Sequence, residues 1–305
     1  MKTNYKKLAI GIDVGGTNTK ISLVSQNGKI VRSKVVSTPR GKTDLIASLE
    51  KEIINIRAKN NIIGVGIGMP GPIDNVRGIV HYLPNIPGWK EVELKKILEK
   101  KTRFKVFVDN DVNLMTLAEF KFGAAKKAKN SVCITLGTGV GGGIIVEGKL
   151  YYGSSLTAGE IGHMPVNLNG PKCACGGRAC LESYVGNRHI LQMAKVYFGK
   201  NITLEKLSLL ANSGNKKAKF IWNSVAEYLA VALTQIINFF NPDIIVIGGG
   251  VAQAKEVLFA PLKRIVCSRA MRIPRDNVRI VKAKLGQDAG MIGAGALVFE
   301  NIEGV

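Results

Sequence analysis

Two glycine-rich turns, each placed between two segments of β type, constrain the fold of this 305-residue chain more than any other feature. The first turn contains Gly15 and Gly16, and the second contains Gly137 and Gly139. The flanking segments are residues 8–13, 19–25, 131–136 and 141–147. Glycine at these positions lets the backbone take positive φ in a tight connection. The pattern predicts two β-meanders, one at the start of the chain and one near its middle.

Each meander is followed by the same kind of α/β pattern. An amphipathic helix at 44–59 and a buried strand at 62–69 follow the first meander. A long helix at 218–240, a buried strand at 243–247 and a third glycine turn at 248–250 follow the second. The two halves therefore look like copies of one α/β plan.

The boundary between the halves is placed near Asp111, because a predicted strand runs directly into a helix there and no linker rich in proline or serine intervenes. We predict an N-terminal lobe of residues 1–111 and a C-terminal lobe of residues 112–288. A final helix at about 289–305 contains small residues suited to close packing. We expect this helix to return to the first lobe.

The chain carries 43 basic and 22 acidic residues, and its formal net charge of +21 favours polyanionic partners. The basic residues concentrate in 93–105, 121–129 and 216–219, and each of these stretches is also typical of a helix face or a helix end. This distribution favours a solvated basic surface over a nucleic-acid-binding site.

Membrane insertion is not expected. No segment approaches the ~20 consecutive apolar residues of a transmembrane helix. The first apolar run is broken at Asp13, before the core of a signal peptide could form. We therefore predict a cytoplasmic protein without a membrane partner.

The glycine turns predict a site for nucleotide phosphates, because exposed backbone N–H groups form nests that bind polyphosphate. The first turn adds the carboxylate of Asp13 for hydrated Mg²⁺ and the donors Thr17 and Lys20. The second adds the hydroxyl of Thr138 to the bare backbone of Gly139. Neither turn fits the P-loop or the dinucleotide-binding pattern. A hairpin turn is the simpler explanation of either motif alone, but the three glycine turns together predict phosphate binding.

The motifs at these turns resemble those of the ROK family of sugar kinases, within the actin, hexokinase and Hsp70 ATPase superfamily. D-x-G-G-T-x-x-K matches residues 13–20, L-G-T-G-x-G-G-G matches 136–143, and the adenosine-side I-G-G-G matches 247–250. The resemblance extends from about Leu8 to about Gly295. It implies ATP as cofactor and an α/β, two-lobed actin/hexokinase-like (ribonuclease H-like) ATPase fold with a closing cleft between duplicated lobes. It also implies a homodimer or a homotetramer.

The nucleotide-binding residues predicted in this way belong to the three glycine turns. They are Asp13, Gly15, Gly16, Thr17, Lys20, Thr138, Gly139, Gly249 and Gly250.

The segment Asp109-Asn110-Asp111 follows a predicted strand and starts a helix, so its side chains stand at an element terminus. Asparagine or aspartate before a helix is most often only a cap. Phosphoryl transfer to a hydroxyl needs a carboxylate that accepts the hydroxyl proton. The family resemblance implies that Asp111 is this base and that Asn110 binds a sugar hydroxyl.

Further sugar-binding residues are implied by the same resemblance. Glu160 and His163 match the family signature E-x-G-H, and Glu182 is a further sugar ligand. Gly71 and Asn85 are expected to complete the pocket by backbone and amide contacts. Carboxylates and amides suit this role because each sugar hydroxyl offers one donor and two acceptor lone pairs.

A metal site is predicted where Cys173, Cys175 and Cys180 crowd within eight residues. Tetrahedral Zn²⁺ takes four such ligands, and His163 is the obvious fourth. Reduced thiols without a metal are the alternative. The segment resembles the family's C-x-C-G-x-x-G-C-x-E pattern, except that Ala179 stands where glycine is usual. A site with four protein ligands is structural, and by fixing His163 it would also support Glu160.

The expected activity is ATP-dependent phosphorylation of the 6-hydroxyl of glucose. Kinases for N-acetylmannosamine, N-acetylglucosamine, fructose or allose share the same motifs and stay open as alternatives. A sugar-sensing repressor is a rival of another class, and the positive charge would suit DNA. Such repressors carry an N-terminal helix-turn-helix domain, for which we expect no room before the phosphate motif at Asp13.

Overall fold

The protein is described from a computed structural model, which covers residues 7–57, 61–83, 86 and 88–304. The chain divides into two compact units. Unit 1 comprises Met1–Lys126, Leu150–Ala158 and Gln287–Val305, and unit 2 comprises Lys127–Lys149 and Gly159–Gly286.

Unit 1 begins with a strand meander and continues with alternating helices and strands. Its first elements are β1 (Leu8–Val14), β2 (Asn18–Ser25), β3 (Ile30–Ser37), α1 (Lys42–Arg57), β4 (Ile62–Met69), β5 (Ile73–Asp74), β6 (Ile79–Tyr82), β7 (Lys90–Val92), α2 (Leu94–Thr102), β8 (Val106–Asn110) and α3 (Asp111–Lys121). A five-stranded sheet has the order β3-β2-β1-β4-β8, and a smaller sheet has the order β5-β6-β7.

Unit 2 starts with a second meander and ends with a helix-rich segment. Its elements are β9 (Ser131–Leu136), β10 (Val140–Val146), β11 (Lys149–Leu150), α4 (Glu182–Val185), α5 (Asn187–Phe198), α6 (Leu204–Asn212), α7 (Lys216–Phe240), β12 (Ile244–Gly248), α8 (Glu256–Arg269), α9 (Arg272–Asn277) and β13 (Arg279–Lys282). The last helix of the chain is α10 (Ala289–Glu303).

The two five-stranded sheets have the same topology. The second sheet has the order β11-β10-β9-β12-β13, which repeats β3-β2-β1-β4-β8 position by position. In each, the first strand of the meander pairs antiparallel with the second and parallel with a later strand, which in turn pairs parallel with the last. This confirms the predicted duplication of one α/β plan.

Glycines in β1 and β4, which have no Cβ atom, let α10 lie directly on these strands. A Cβ added at Gly11 would overlap the carbonyl oxygen of Met291, and one added at Gly66 would overlap that of Ala294. Most apolar residues of α10 are buried, among them Val298 and Phe299. Backbone contact without intervening side chains therefore fixes the distance between this helix and the sheet.

Helix α7 is long and apolar enough to cross a membrane by length and composition alone. Its apolar side is covered within unit 2, however, where Trp222, Leu229 and Leu233 are buried in the core cluster. It packs mainly against α8 and α6. These contacts are those of a core helix.

The substitution Gly66→Ala tests the backbone contact of α10. We expect it to lower the free energy of unfolding by about 3 kcal/mol, because the new methyl group meets backbone that cannot move aside. Gly64→Ala, on the same strand, is the matched control. Its methyl group would meet the side chains of Val298 and Ile302 at 2.9 and 3.2 Å and the carbonyl oxygen of Lys105 at 3.2 Å, without overlapping backbone as at Gly66, so we expect a smaller loss of about 1 kcal/mol. Urea denaturation measures both, and equal losses would contradict this packing.

Candidate active site and metal centre

The predicted residues of unit 1 meet at the carboxyl ends of three adjacent parallel strands. Strand β1 ends beside Asp13, and β8 ends at Asn110, directly before Asp111. Gly71 follows two residues after the end of β4, which lies between β1 and β8. In open α/β sheets, ligands bind outside this edge.

The first glycine turn is held by hydrogen bonds at its base and exposed at its tip. The N–H of Gly15 donates to the carbonyl oxygen of Asn18 at 3.0 Å, and the hydroxyl of Thr38 donates to the carbonyl oxygen of Gly15 at 2.7 Å. Gly16 and Thr17 are exposed. The turn is thus a rigid loop that presents its backbone to solvent, which is the geometry expected of a phosphate-binding nest.

Asp13 lies between Lys20 and the start of α10. The β1–β2 register pairs Asp13 with Lys20, whose ammonium group donates to the carbonyl oxygen of Gln287 at 2.8 Å. A Cβ added at Gly290 would lie 2.6 Å from Cγ of Asp13. Burial raises the pKa of Asp13, and the charge of Lys20 opposes this rise.

Asp111 is the first residue of α3, and its carboxylate accepts from the N–H of Val112 at 2.9 Å. Burial raises the pKa of Asp111 to about 7, and the charge of Asp13 adds to the rise. The backbone hydrogen bond to Val112 acts in the opposite direction. A carboxyl group with a pKa near neutrality can accept and release a proton at physiological pH.

Asn110 caps α3 and also contacts the loop after β4. Its Oδ1 accepts from the N–H groups of Val112 and Asn113 at 2.9 and 3.3 Å. Its Nδ2 donates to the carbonyl oxygen of Gly71 at 3.0 Å. The structure therefore brings together Asn110, Gly71 and Asp111, as the proposed pocket requires. Asn85 lies outside the described residues.

In unit 2 the second and third glycine turns lie at the carboxyl ends of adjacent parallel strands. Strand β9 leads into the turn that contains exposed Thr138, and β12 leads into Gly249. Gly249 has φ +85°, and a Cβ there would overlap the carbonyl oxygen of Leu136. Only glycine therefore allows these two turns to lie against each other.

Glycines of β10 let the segment with Glu160 and His163 approach the strand. A Cβ added at Gly142 would lie 2.5 Å from the carbonyl oxygen of Gly159, and one at Gly162 would overlap that of Val140. From the sequence alone, this glycine run predicts only phosphate binding. The structure adds a second reason for it, which is close packing of the predicted sugar-binding segment.

Glu182 supports the second glycine turn. Its Oε2 accepts from the N–H of Val140 at 2.8 Å, and a Cβ added at Gly139 would lie 2.5 Å from the same oxygen. The N–H of Asn187 donates to the carbonyl oxygen of Gly137 at 2.9 Å. No local sequence pattern predicts these contacts, because Glu182 is more than forty positions from Val140.

A cavity of ≈ 690 Å³ in unit 2 adjoins the third glycine turn. Gly250, Gln253 and Ala254 line one part of it, and Leu204 and Leu209 of α6 line another. Its volume and its mixed apolar and polar lining are those of small-molecule sites.

The predicted metal ligands converge in unit 2. The ligand atoms of His163, Cys173, Cys175 and Cys180 all lie within 4.8 Å of one another. Nδ1 of His163 is 3.8 Å from Sγ of Cys173, and Sγ of Cys175 is 3.7 Å from Sγ of Cys180. A tetrahedral zinc ion with Zn–S bonds of about 2.3 Å separates its ligand atoms by about 3.8 Å. The four side chains therefore fit Zn²⁺, although Ala179 takes φ +58°, a conformation typical of glycine.

The imidazole of His163 lies between the metal ligands and Glu160. Its Nδ1 faces the sulfur of Cys173, and its Nε2 lies 3.7 Å from Oε2 of Glu160. The backbone connects the same region to Glu182, since the N–H of Leu181 donates to the carbonyl oxygen of Met164 at 2.9 Å. The cysteine cluster thus supports Glu160 and Glu182.

Comparison with known proteins agrees with this arrangement of strands and turns. The model of the ROK family matches residues 9–301. The chain belongs to the ROK family.

Proteins similar to this chain include glucokinases and a repressor. The chain is 37% identical to the glucokinase of Thermotoga maritima, over 97% of this chain and 98% of that protein. It superposes with a TM-score of 0.82 on a ROK family glucokinase from Streptomyces griseus in complex with glucose and AMPPNP, at 30% identity over 95% of this chain and 98% of that one. The xylose repressor of Bacillus subtilis is 29% identical over 96% of this chain and 77% of the repressor. The expected family and fold are confirmed.

Metal analysis and one matched pair of variants test the metal centre. We expect one zinc ion per chain, and we expect Cys175→Ser to release it, lower the Tm and weaken sugar binding, because His163 and Glu160 lose their support. Cys267→Ser changes an exposed cysteine outside the cluster and should change none of these quantities. Absence of zinc, or unchanged sugar affinity in Cys175→Ser, would contradict the coupling.

Proposed function

We propose that this ROK protein is an ATP-dependent hexokinase, specifically a glucokinase, which transfers the γ-phosphoryl group of ATP to the 6-hydroxyl of glucose. The observation that carries the proposal is a half-buried carboxyl group with a pKa of about 7, Asp111, at the same sheet edge as Asp13 and the first glycine turn. A base and a phosphate-binding turn at one edge are what phosphoryl transfer to an alcohol needs.

Asp111 is the proposed general base. When ionised it accepts the proton of the attacking hydroxyl, while Asn110 and the carbonyl oxygen of Gly71 orient the sugar. The hydrogen bonds from Asn110 to Gly71 and to the first turn of α3 hold these groups in a fixed relation. Fixed positions lower the entropic cost of aligning the acceptor.

The glycine turns are the proposed phosphate ligands. Gly15, Gly16 and Thr17 of the first turn, with Thr138 and Gly139 of the second, would donate hydrogen bonds to the triphosphate. Magnesium supplies charge neutralisation when bound, and Asp13 is the carboxylate that would hold its hydration shell, with Lys20 beside it.

The adenosine end of ATP is assigned to the third glycine turn. Gly249 and Gly250 lie beside the cavity of ≈ 690 Å³, which is large enough for a purine. The leucines of α6 that line this cavity offer apolar contact to the faces of the ring.

Glu160, His163, Glu182 and Asn85 are the remaining proposed sugar ligands. The contact between His163 and Glu160 supports the first two assignments, since it aligns a carboxylate beside a metal-fixed imidazole. Zinc is proposed to be structural, because four protein side chains would complete its coordination.

The relatives support the substrate assignment. The Streptomyces griseus glucokinase binds glucose and AMPPNP, and the Thermotoga maritima relative, aligned over nearly the whole of both chains, is a glucokinase. We place the protein in the cytoplasm, where reduced thiols would remain available for zinc. A homodimer or homotetramer is proposed from family resemblance alone, and no membrane partner is proposed.

A coupled assay with ATP, Mg²⁺ and a panel of hexoses tests this function. We expect the highest kcat/KM with glucose, and lower values with N-acetylmannosamine, N-acetylglucosamine, fructose and allose. A clear preference for one of these would reassign the substrate but keep the reaction class.

A sugar-sensing repressor is the second candidate, supported by the xylose repressor relative and by the charge of +21. The alignment leaves about a fifth of that repressor without a counterpart, whereas it covers 98% of the Thermotoga glucokinase. No hexose phosphorylation, together with salt-sensitive binding to a specific DNA sequence, would establish the repressor function instead.

The role of Asp111 is tested by Asp111→Asn and by the pH profile. The amide cannot accept the proton, so we expect kcat to fall by ~10² to 10⁴. In the wild type, kcat/KM should be constant above about pH 7 and fall tenfold per pH unit below it, because protonation removes the base. Asp44→Asn, at the exposed first turn of α1, is the control and should leave both unchanged. Turnover of Asp111→Asn within about tenfold of wild type would reject Asp111 as the base.

A further inference from the structure

A partly buried hydrogen bond links the phenol of Tyr152 to the segment that carries Asp111. The hydroxyl of Tyr152 donates to Oδ2 of Asp109 at 2.6 Å, and Asp109 is 1% exposed. The other oxygen of Asp109 accepts from the N–H of Asn110 at 2.6 Å and from Nδ2 of Asn113 at 3.0 Å. Asp109 therefore joins Tyr152 to the backbone of the residue directly before Asp111.

Tyr152 belongs to a short segment that lies in unit 1 although the chain on both sides of it lies in unit 2. Leu150–Ala158 is part of unit 1, although the residues on either side, Lys149 and Gly159, belong to unit 2. The N–H of Ala158 donates to the carbonyl oxygen of Tyr152 at 2.9 Å, which closes the segment into a loop. Glu160 follows two residues later. The phenol of Tyr152, together with Leu150, which packs against Leu114 and Leu117, thus attaches to unit 1 the segment that leads to a proposed sugar ligand.

Burial and neighbouring charges shift the pKa values of both groups in this hydrogen bond. Burial and Asp109 raise the pKa of Tyr152 well above that of a free phenol, so the hydroxyl remains a donor. Burial raises the pKa of Asp109, and the hydrogen bond from Tyr152 is the main influence that lowers it. Glu300 of α10 raises both pKa values, and Lys121 of α3 lies 3.9 Å from Glu300. Two neutral amides also contact the pair: Asn75 lowers the pKa of Tyr152, and Asn113 lowers that of Asp109.

We propose that Tyr152 is a positioning residue for phosphoryl transfer, which acts through Asp109 to hold the backbone at Asn110 and the carboxylate of Asp111 in place. This inference rests on the proposed role of Asp111 as base. Neither Tyr152 nor Asp109 touches the substrate in this scheme. A carboxylate binds the N–H of Asn110 more strongly than a neutral carboxyl group does, so the ionised state of Asp109 matters as well as its place.

The substitution Tyr152→Phe removes only the hydroxyl, and Tyr151→Phe is a matched control at the exposed neighbouring tyrosine. We expect Tyr152→Phe to lower kcat about tenfold with less than a threefold change in the KM for ATP. The acid limb of its kcat/KM profile, which Asp111 sets in the wild type, should move to higher pH, since Asp109 loses the donor that favours its ionised form and its protonation would then also weaken the support of Asp111. Tyr151→Phe should match the wild type in all three quantities.

A double-mutant cycle separates this role from general stability. In the Asp109→Asn background position 109 has no carboxyl group to titrate, although Asp111 still does, so Tyr152→Phe should no longer move the acid limb. If kcat of Tyr152→Phe is within twofold of the wild-type value and the acid limb of the kcat/KM profile does not move, the inference is wrong. It is equally wrong if the limb moves as far in the Asp109→Asn background.

Hydrogen exchange of the substrate-free protein tests the positioning without reference to activity. We expect amides of residues 110–113 to exchange at least tenfold faster in Tyr152→Phe than in Tyr151→Phe. Unchanged exchange would overturn the inference. Faster exchange in a protein whose wild type phosphorylates no hexose would support the positioning and reject the proposed function, so the two failures are distinguishable.

Discussion

Partial burial of the Asp111 carboxyl group near Asp13 is the constraint on which the proposed chemistry depends. An isolated carboxylate is costly to bury, and a second carboxylate nearby makes its ionised form less favourable still. The first turn of α3 offsets part of this cost through the N–H of Val112. The balance gives a pKa of about 7, which suits a base that must be ionised before the reaction and protonated after it.

In unit 2, the positions of the proposed sugar ligands depend on the cysteine cluster. His163 faces Cys173 with one nitrogen and Glu160 with the other, and the backbone after Cys180 leads within two residues to Glu182. Glu182 in turn holds the N–H of Val140 at the second glycine turn. A bound zinc ion would therefore order two proposed sugar ligands and a proposed phosphate loop at once.

Local sequence signals predicted the elements of the fold well. Strands β4 and β9 begin and end at the predicted residues, and the repeated meander predicted the duplicated sheets, because hydrophobic periodicity and glycine turns act over short distances. The short strands β5–β7 were missed, since segments of two to four residues carry too little periodicity. The contacts Glu182–Val140 and Tyr152–Asp109 were missed because they join residues distant in sequence. The family motifs located the candidate site residues but not what holds them in place.

The most direct test of the central claim is a crystal structure of the protein with glucose and AMPPNP. The account predicts an oxygen of Asp111 within about 3 Å of the 6-hydroxyl of glucose. It also predicts that the main-chain amides near Thr17 and Thr138 bind the same triphosphate. Asp111 turned away from the sugar, or a nucleotide bound without either glycine turn, would contradict the account.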